Sequence, residues 1–217
     1  GRGFQQAHVA LSQKVVEACR LHDIDRLLHM SALGADAQHG PSYYLRSKGE
    51  AEELVHASGL KVTSFRPSVI FGKDDSFFNR FAQLLSIPGP FPLACAQARF
   101  APIWVGDVVD CFAKSIDNAS TIGQRYDLCG PTVYTLLELV HYTAQLTGRN
   151  KWLIPLGDSA SEIQARLLEL VPGKPFSRDN FNSMKSPSVC NSPFPSIFSL
   201  TPQSVEAIVP DYLGTDN

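Results

Sequence analysis

The chain has 217 residues, of which 44% are hydrophobic and 18% are charged, and its formal net charge is -2. This balance is typical of a globular protein with a substantial core and excludes an intrinsically disordered chain. Nucleic-acid binding is not expected, because lysines and arginines are scattered rather than clustered. No apolar stretch reaches the ~18 residues of a membrane span, so no transmembrane segment is expected.

The first predicted elements are a helix and a strand. Residues 4–21 carry apolar side chains at helical spacing, and the short apolar run at 26–30 predicts a strand. Ser31 follows that strand directly. Because open α/β sheets bind their ligands at the carboxyl ends of their strands, Ser31 is expected to meet substrate.

A helix with a candidate catalytic pair comes next. Ser42 is suited to cap a helix over residues 43–56, on which Tyr44 and Lys48 lie one turn apart on the same face. An unperturbed phenol titrates near pH ~10, so Lys48 is expected to lower the pKa of Tyr44 toward the working range of a general acid-base. Ser31 would then hold the substrate oxygen while Tyr44 exchanges its proton. The alternative is a chance pair, since Tyr and Lys four apart occur on many amphipathic helices.

The next predicted strand ends at a proline. Residues 61–70 are β-branched and apolar enough for a buried strand, with Pro67 at or beyond its hydrogen-bonded end. Backbone groups released from the ladder there are expected to be free to bind a ligand amide. The alternative is that Arg66-Pro67 is simply a strand terminus.

The remaining elements follow from periodicity and capping residues. Residues 76–86 predict a helix whose phenylalanine stripe faces the core, the alternative being a wall of a lipid-sized or quinone-sized pocket. Asp107 is interpreted first as the N-cap of a helix over 107–117 and second as a site residue. Further along, residues 124–129 predict a strand and 135–147 a helix closed by Gly148.

The last part of the chain is less periodic. Residues 172–198 are rich in Ser, Pro, Asn and Phe, and we expect a long meander or a lid over the substrate side. Thr201 and Pro202 are expected to cap and begin a final helix. The expected organisation is the rear half of a nucleotide-binding domain at 1–72, mixed segments at 73–130, and a substrate region at 131–217.

The cysteines and histidines do not indicate a metal site. The five cysteines are widely spaced and odd in number, and neither they nor the six histidines have metal-ligand spacing. A reducing compartment is therefore expected, and no metal is assigned.

Three sequence motifs occur along the chain in the same order as in a known superfamily. They begin at His29 (HMSALGAD), Tyr44 (YLRSKGE) and Arg66 (RPSVIFG). In this the chain resembles the extended or atypical short-chain dehydrogenase/reductases, and most closely the NAD-dependent epimerase/dehydratase-like branch that contains an accessory subunit of respiratory complex I. The resemblance implies an α/β fold, the C-terminal part of a doubly wound parallel-sheet NAD(P)-binding Rossmann fold with a smaller α/β substrate region.

The same resemblance implies roles for individual residues. Ser31, Tyr44 and Lys48 would form the catalytic set, Lys48 would also bond the nicotinamide ribose, and Tyr44 would also bind the cofactor. Pro67, Ser68 and Val69 would lie beside the nicotinamide. The cofactor would be NADP or NAD. The partners would be a small-molecule substrate and either a homodimer or a larger respiratory assembly, in the cytoplasm or the mitochondrial matrix.

The chain departs from the family pattern at its amino end. No glycine-rich turn opens a helix, so no residue present supports the pyrophosphate, and the chain is expected to be a truncated rear half without useful nicotinamide affinity of its own. The strand at 26–30 would then be an open, apolar sheet edge, because its family neighbour is missing.

Three functional hypotheses follow. The first is an NAD(P)-dependent oxidoreductase or epimerase-like enzyme of which this is the carboxyl-terminal part. The second is a non-catalytic dinucleotide-binding protein of a larger assembly, which would still need Lys48. The third is a catalytically dead fragment. Sugar-nucleotide epimerases are a weaker enzymatic alternative, since the loop at 88–102 offers no clear diphosphate-binding arrangement.

Overall fold

The computed structural model describes residues 2–172 and 176–214. A π-helical stretch at Gln5–Ala10 joins the first two helices into one rod. The helices are Arg2–Phe4 (α1), Leu11–Leu21 (α2), Tyr43–His56 (α3), Phe78–Leu85 (α4), Val105–Ser115 (α5), Leu136–Leu146 (α6), Asp158–Leu168 (α7), Arg178–Ser183 (α8), Val205–Ile208 (α9) and Pro210–Leu213 (α10). The strands are Arg26–Met30 (β1), Lys61–Pro67 (β2), Ile70–Phe71 (β3), Phe91–Leu93 (β4), Arg99–Phe100 (β5), Ile103–Trp104 (β6), Arg125–Leu128 (β7), Tyr134–Thr135 (β8) and Leu153–Pro155 (β9).

A three-stranded parallel sheet in the order β1-β2-β7 forms the centre of the fold. Met30 pairs with Phe65, so the carboxyl ends of β1 and β2 meet at one edge. In the part of the chain that the structure describes, β1 pairs only with β2, which confirms the expected open edge at residues 26–30. The bounds predicted for β1 and α3 are also confirmed.

Helices cover both faces of this sheet, as in a doubly wound fold. Leu27 packs with Val62 of β2 against Val16 of α2 and Val55 of α3. On the opposite face, Phe65 of β2 packs against Val108 and other buried residues of α5. Successive strand side chains point to opposite faces, so this alternation assigns α2 and α3 to one layer and α5 to the other.

A second apolar core lies beyond the sheet, around α4 and α6. Phe78 and Leu85 of α4 are fully buried against Leu139 and Val140 of α6. The prediction that the phenylalanine stripe faces the core is thus confirmed for Phe78. The strand pairs β3-β6, β4-β9 and β5-β8 form three separate two-stranded sheets.

Two capping predictions are wrong. Helix α5 begins at Val105 with Trp104 at its N-cap position, so Asp107 lies inside the first turn. Its buried carboxylate accepts a hydrogen bond from the Gln203 amide at 2.8 Å. This bond fixes the backbone of Gln203 just ahead of α9. The N-cap of α9 is Ser204 rather than the predicted Thr201.

The cysteine spacing predicts a reducing compartment, whereas the structure contains a disulfide bond. Cys129, just after β7, is bonded to Cys190, at a sequence separation of 61. Cys19, Cys95 and Cys111 are free thiols. Sequence spacing missed the pair because folding, not proximity along the chain, brings the two cysteines together.

In the described residues, no helix has the length and hydropathy that a membrane crossing requires.

Candidate functional site

A cavity of about 420 Å³ opens at the carboxyl ends of β1 and β2. One wall comes from the loop after β1 and from α3, and the other from residues 76–77 just before α4, from β5 and from a segment at residues 177–190 that we call the strap. The six residues selected from sequence all line it, namely Ser31, Tyr44, Lys48, Pro67, Ser68 and Val69. Apolar side chains, including Leu33, Phe77 and Phe100, make up much of the remaining surface.

Tyr44 is half-buried and enclosed by aromatic rings. Its ring makes edge contacts with Phe4 and His8 of the amino-terminal rod, at centroid distances of 5.9 and 5.4 Å. Burial raises the pKa of Tyr44 above its ordinary value. The expected lowering by Lys48 is therefore not found in this state, because desolvation disfavours the phenolate and no cation offsets it.

Lys48 is held at the end of the first strand. Its Nζ donates a hydrogen bond to the Met30 carbonyl at 3.0 Å, and burial lowers its pKa. The neighbouring Gly49 permits this close approach, because a Cβ at that position would overlap the Ala37 amide. Helix α3 thus packs closely on the loop after β1 and places the amine beside the strand terminus.

Ser31 is a buried residue, with 2% of its surface exposed. Its N–H donates to the Phe65 carbonyl at 2.8 Å. Its Oγ makes no hydrogen bond of full geometry, although it lies near enough to the Glu52 carboxylate to help lower the pKa of that group. The structure brings Ser31, Tyr44 and Lys48 to one cavity and joins none of the three side chains to another by a hydrogen bond.

Sequence reasoning missed the buried carboxylate beneath the site. Glu52 accepts hydrogen bonds from Arg66 Nε at 2.9 Å and from Arg125 Nε at 2.7 Å. Burial alone would raise its pKa, but the hydrogen bonds from Arg66 and Arg125, together with the nearby Ser31 hydroxyl, hold that pKa below its usual value. These ion pairs fasten α3 to β2 and β7. The four-residue spacing of Tyr44, Lys48 and Glu52 along one helix face is the signal that could have revealed it.

Two histidines beside the site were also missed. His8 Nδ1 lies 2.8 Å from the Ser47 hydroxyl. His29 Nε2 is buried without a hydrogen-bond partner, and burial lowers the pKa of His29 to about 4. Both rings face the α3 side of the sheet, where a charged imidazole would be repelled by Lys48.

The backbone at Pro67, Ser68 and Val69 is more fully bonded than expected. The Pro67 carbonyl accepts from Leu33, the Ser68 amide donates to Leu128, and the Val69 carbonyl accepts from Ile103. The ladder therefore does not simply release these groups, because the loop after β1, the end of β7 and the start of β6 continue the pairing. The Ser68 hydroxyl donates to the Ser188 carbonyl of the strap at 2.7 Å.

Comparison with curated proteins identifies relatives in one respiratory complex, whereas no family model matches the chain. It is 32% identical over 139 residues to NADH dehydrogenase [ubiquinone] 1 alpha subcomplex subunit 9, mitochondrial, of Arabidopsis thaliana, covering 63% of this chain and 34% of that protein. The Rattus norvegicus protein of the same name is 29% identical over 176 residues, covering 80% of this chain and 46% of the relative. The chain thus spans from about a third to a half of the length of these relatives.

Solved structures identify the fold. The crystal structure of gox2253 matches 97% of this chain and 72% of its own with a TM-score of 0.73 at 18% identity. The NADPH complex of the NADPH-dependent quinone oxidoreductase QOR2 of Escherichia coli matches 93% of this chain and 70% of its own, also at 0.73 and 18%. MoeE5 with UDP-glucose and NAD matches 69% of this chain and 57% of its own at 0.60 and 20%. The predicted α/β Rossmann fold is confirmed.

Proposed function

Because the chain is a relative of the mitochondrial complex I subunit 9 proteins and has the fold of NAD(P)-binding epimerases and reductases, we propose that it forms one side of a NAD(P)-dependent oxidoreductase or epimerase-like site. The observation that carries the proposal is the cavity itself. A single space at the carboxyl ends of two parallel strands collects Ser31, Tyr44 and Lys48 together with Pro67, Ser68 and Val69.

The residues present fit one end of a dinucleotide. Lys48 provides a cationic donor at the cavity wall, and Ser31 provides a buried hydroxyl whose hydrogen-bonding capacity is not fully used. These groups suit the ribose and nicotinamide end. Among the described lining residues Lys48 is the single cation, which disfavours a diphosphate-bearing substrate there and favours a neutral one.

The proposed chemistry assigns one task to each side chain. When bound, a nicotinamide would supply or accept the hydride. The raised pKa of Tyr44 keeps its phenol protonated at neutral pH, so Tyr44 is set to donate a proton to a substrate oxygen. Lys48 would hold the ribose, and Ser31 would orient the substrate oxygen. Water is limited by the surrounding apolar wall.

A second candidate function is a non-catalytic one, in which Lys48 holds a dinucleotide for structure within a respiratory assembly. The enclosure of Tyr44 between Phe4 and His8 favours it, and so does the identity of the sequence relatives as complex I subunits. A mitochondrial location, on the matrix side, is part of this proposal because the relatives are named as mitochondrial.

Fluorescence titration of the full-length protein with NADPH and NADH tests both candidates. We expect Lys48→Ala to weaken binding about tenfold or more, since a charge-assisted contact is lost. Tyr44→Phe should bind normally in either case. Oxidation of NADPH by neutral carbonyl and quinone probes should disappear in Tyr44→Phe if the site is catalytic, and should be absent from the wild type if it is not. Failure of the wild type to bind either nucleotide would refute both candidates.

A further inference from the structure

The first turn of α3 is bonded to a distant part of the chain. The Asp179 carboxylate accepts hydrogen bonds from the Tyr43 amide at 2.7 Å and the Tyr44 amide at 3.2 Å. The next amide, of Leu45, donates to the Ser42 hydroxyl at 3.1 Å. The first amides of a helix have no partner inside the helix and usually turn to water or to a local cap. Here two of them are bonded by a residue more than 130 positions away in sequence.

The local cap is held by the strap as well. Ser183 donates from its hydroxyl to the Ser42 Oγ at 2.8 Å. Asp179 and Ser183 lie on the same face of α8, so this one short helix clamps the start of α3 at two points. The Asp179 charge also complements the positive end of the α3 dipole.

The strap is anchored on the far side of the cavity. Ser188 donates its amide to the Arg99 carbonyl at 2.8 Å and accepts from the Ala101 amide at 2.9 Å, as an extra strand position beside β5. Two residues later the Cys129–Cys190 disulfide ties the strap to the end of β7. Between Ser183, which bonds to Ser42, and Ser188, the residues Met184 and Ser186 line the cavity. The strap therefore forms one wall of the cavity and also bonds to α3, the helix that forms the opposite wall.

We propose that Asp179 is a positioning residue of this site, holding the start of α3, and with it Tyr44 and the Lys48 amine one turn later, in register with the strap wall. Asp179 acts through the backbone of Tyr44 and does not itself line the cavity. The consequence for nucleotide binding rests on the proposed function above, whereas the consequence for α3 is independent of it.

Hydrogen exchange in full-length Asp179→Ala and Asp179→Asn variants tests the proposal. In Asp179→Ala the amides of Tyr43 and Tyr44 should lose protection about tenfold, as expected when a helix-start acceptor is removed. Asp179→Asn keeps one acceptor oxygen and should restore part of that protection. The matched control is Asp158→Ala, which removes an acidic residue from the first turn of α7 and should leave the α3 amides unchanged. Unchanged protection in Asp179→Ala would overturn the proposal.

NADPH affinity, measured on the same variants, separates this inference from the proposed function. Lost protection accompanied by an affinity at least threefold weaker, partly rescued by Asp179→Asn, supports a positioning role. Lost protection with wild-type affinity would overturn it, because the clamp would then not matter to the site. If the wild type binds no nucleotide while Asp179→Ala still loses protection, the proposed function fails and the clamp on α3 stands.

Discussion

At the residue scale, the site is distinguished by polar groups whose charge state is controlled by burial. Glu52 remains ionised because Arg66 and Arg125 bond to it, whereas Tyr44 and Lys48 have only burial acting on them and are both pushed toward their neutral forms. A neutral phenol suits proton donation. The chemistry expected from the Tyr-Lys spacing would require Lys48 to act on Tyr44, whereas here its amine donates to the Met30 carbonyl.

His29 leads to a prediction about stability in acid. Its pKa is lowered from 6.5 to about 4 in the folded protein, chiefly by burial and then by Lys48. The unfolded chain therefore binds the proton first as pH falls, and stability is lost between about pH 6.5 and pH 4. The unfolding free energy of the wild type should therefore fall between pH 7 and pH 4.5. We expect this fall to be about 2 kcal/mol smaller in His29→Gln.

Urea unfolding followed by intrinsic fluorescence at several pH values measures this difference. His39→Gln is the matched control, because the His39 side chain is 82% exposed and its loss should leave the acid profile of the wild type intact. An acid profile of His29→Gln that overlays the wild type would show that burial of His29 does not govern this pH range.

At the element scale, α3 is held at both ends of its inward face. Glu52 joins it to β2 and β7, and the strap joins its first turn to the far wall of the cavity. Residues 172–198 were expected to form a meander or a lid, and the described part includes α8 and a disulfide anchor, while residues 173–175 lie outside the described part of the chain. The strap within this segment therefore forms a wall of the cavity.

The disulfide should contribute measurably to stability. Closing a loop with a sequence separation of 61 restricts the unfolded chain, so the Cys129→Ser/Cys190→Ser variant should lose about 2–4 kcal/mol of unfolding free energy. Guanidinium unfolding in the absence of reductant measures the loss. Adding dithiothreitol should destabilise the wild type and Cys95→Ser equally, since Cys95 is a free thiol, and leave the double variant unchanged. If the unfolding free energy of the wild type did not change with reductant, the disulfide would not have the predicted stabilising effect.

At the scale of the whole molecule, one side of the sheet is left open. The β1 edge carries unpaired backbone groups along its outer side in the described structure, next to a groove of about 250 Å³ lined by Leu11, Val15 and Leu28. Leu11 is 55% exposed there. Unpaired strand edges flanked by apolar side chains favour association between chains. The homodimer expected from the sequence resemblance stays a prediction, as does the division of the chain into three regions.

Sedimentation of this chain should reveal that association. We expect the apparent mass to rise with concentration and Leu11→Glu to reduce the effect at least fivefold, because a charge in the groove opposes its burial. Leu167→Glu, at a leucine that is 61% exposed on α7, provides the control and should behave like the wild type. A monomer at all concentrations would count against association through this edge.

The sequence by itself determined the local elements and their order. Apolar periodicity and capping residues located β1 and α3 to the residue, and the three motifs indicated both the Rossmann fold and six of the residues that line the cavity. These features depend on interactions a few positions apart, which a sequence displays directly. Only the tertiary structure decided the charge state of Tyr44, the partners of Glu52, the Cys129–Cys190 bond and the clamp of Asp179 on α3. Each of these depends on burial or on contacts between residues far apart in sequence, and such contacts exist only once the chain has folded.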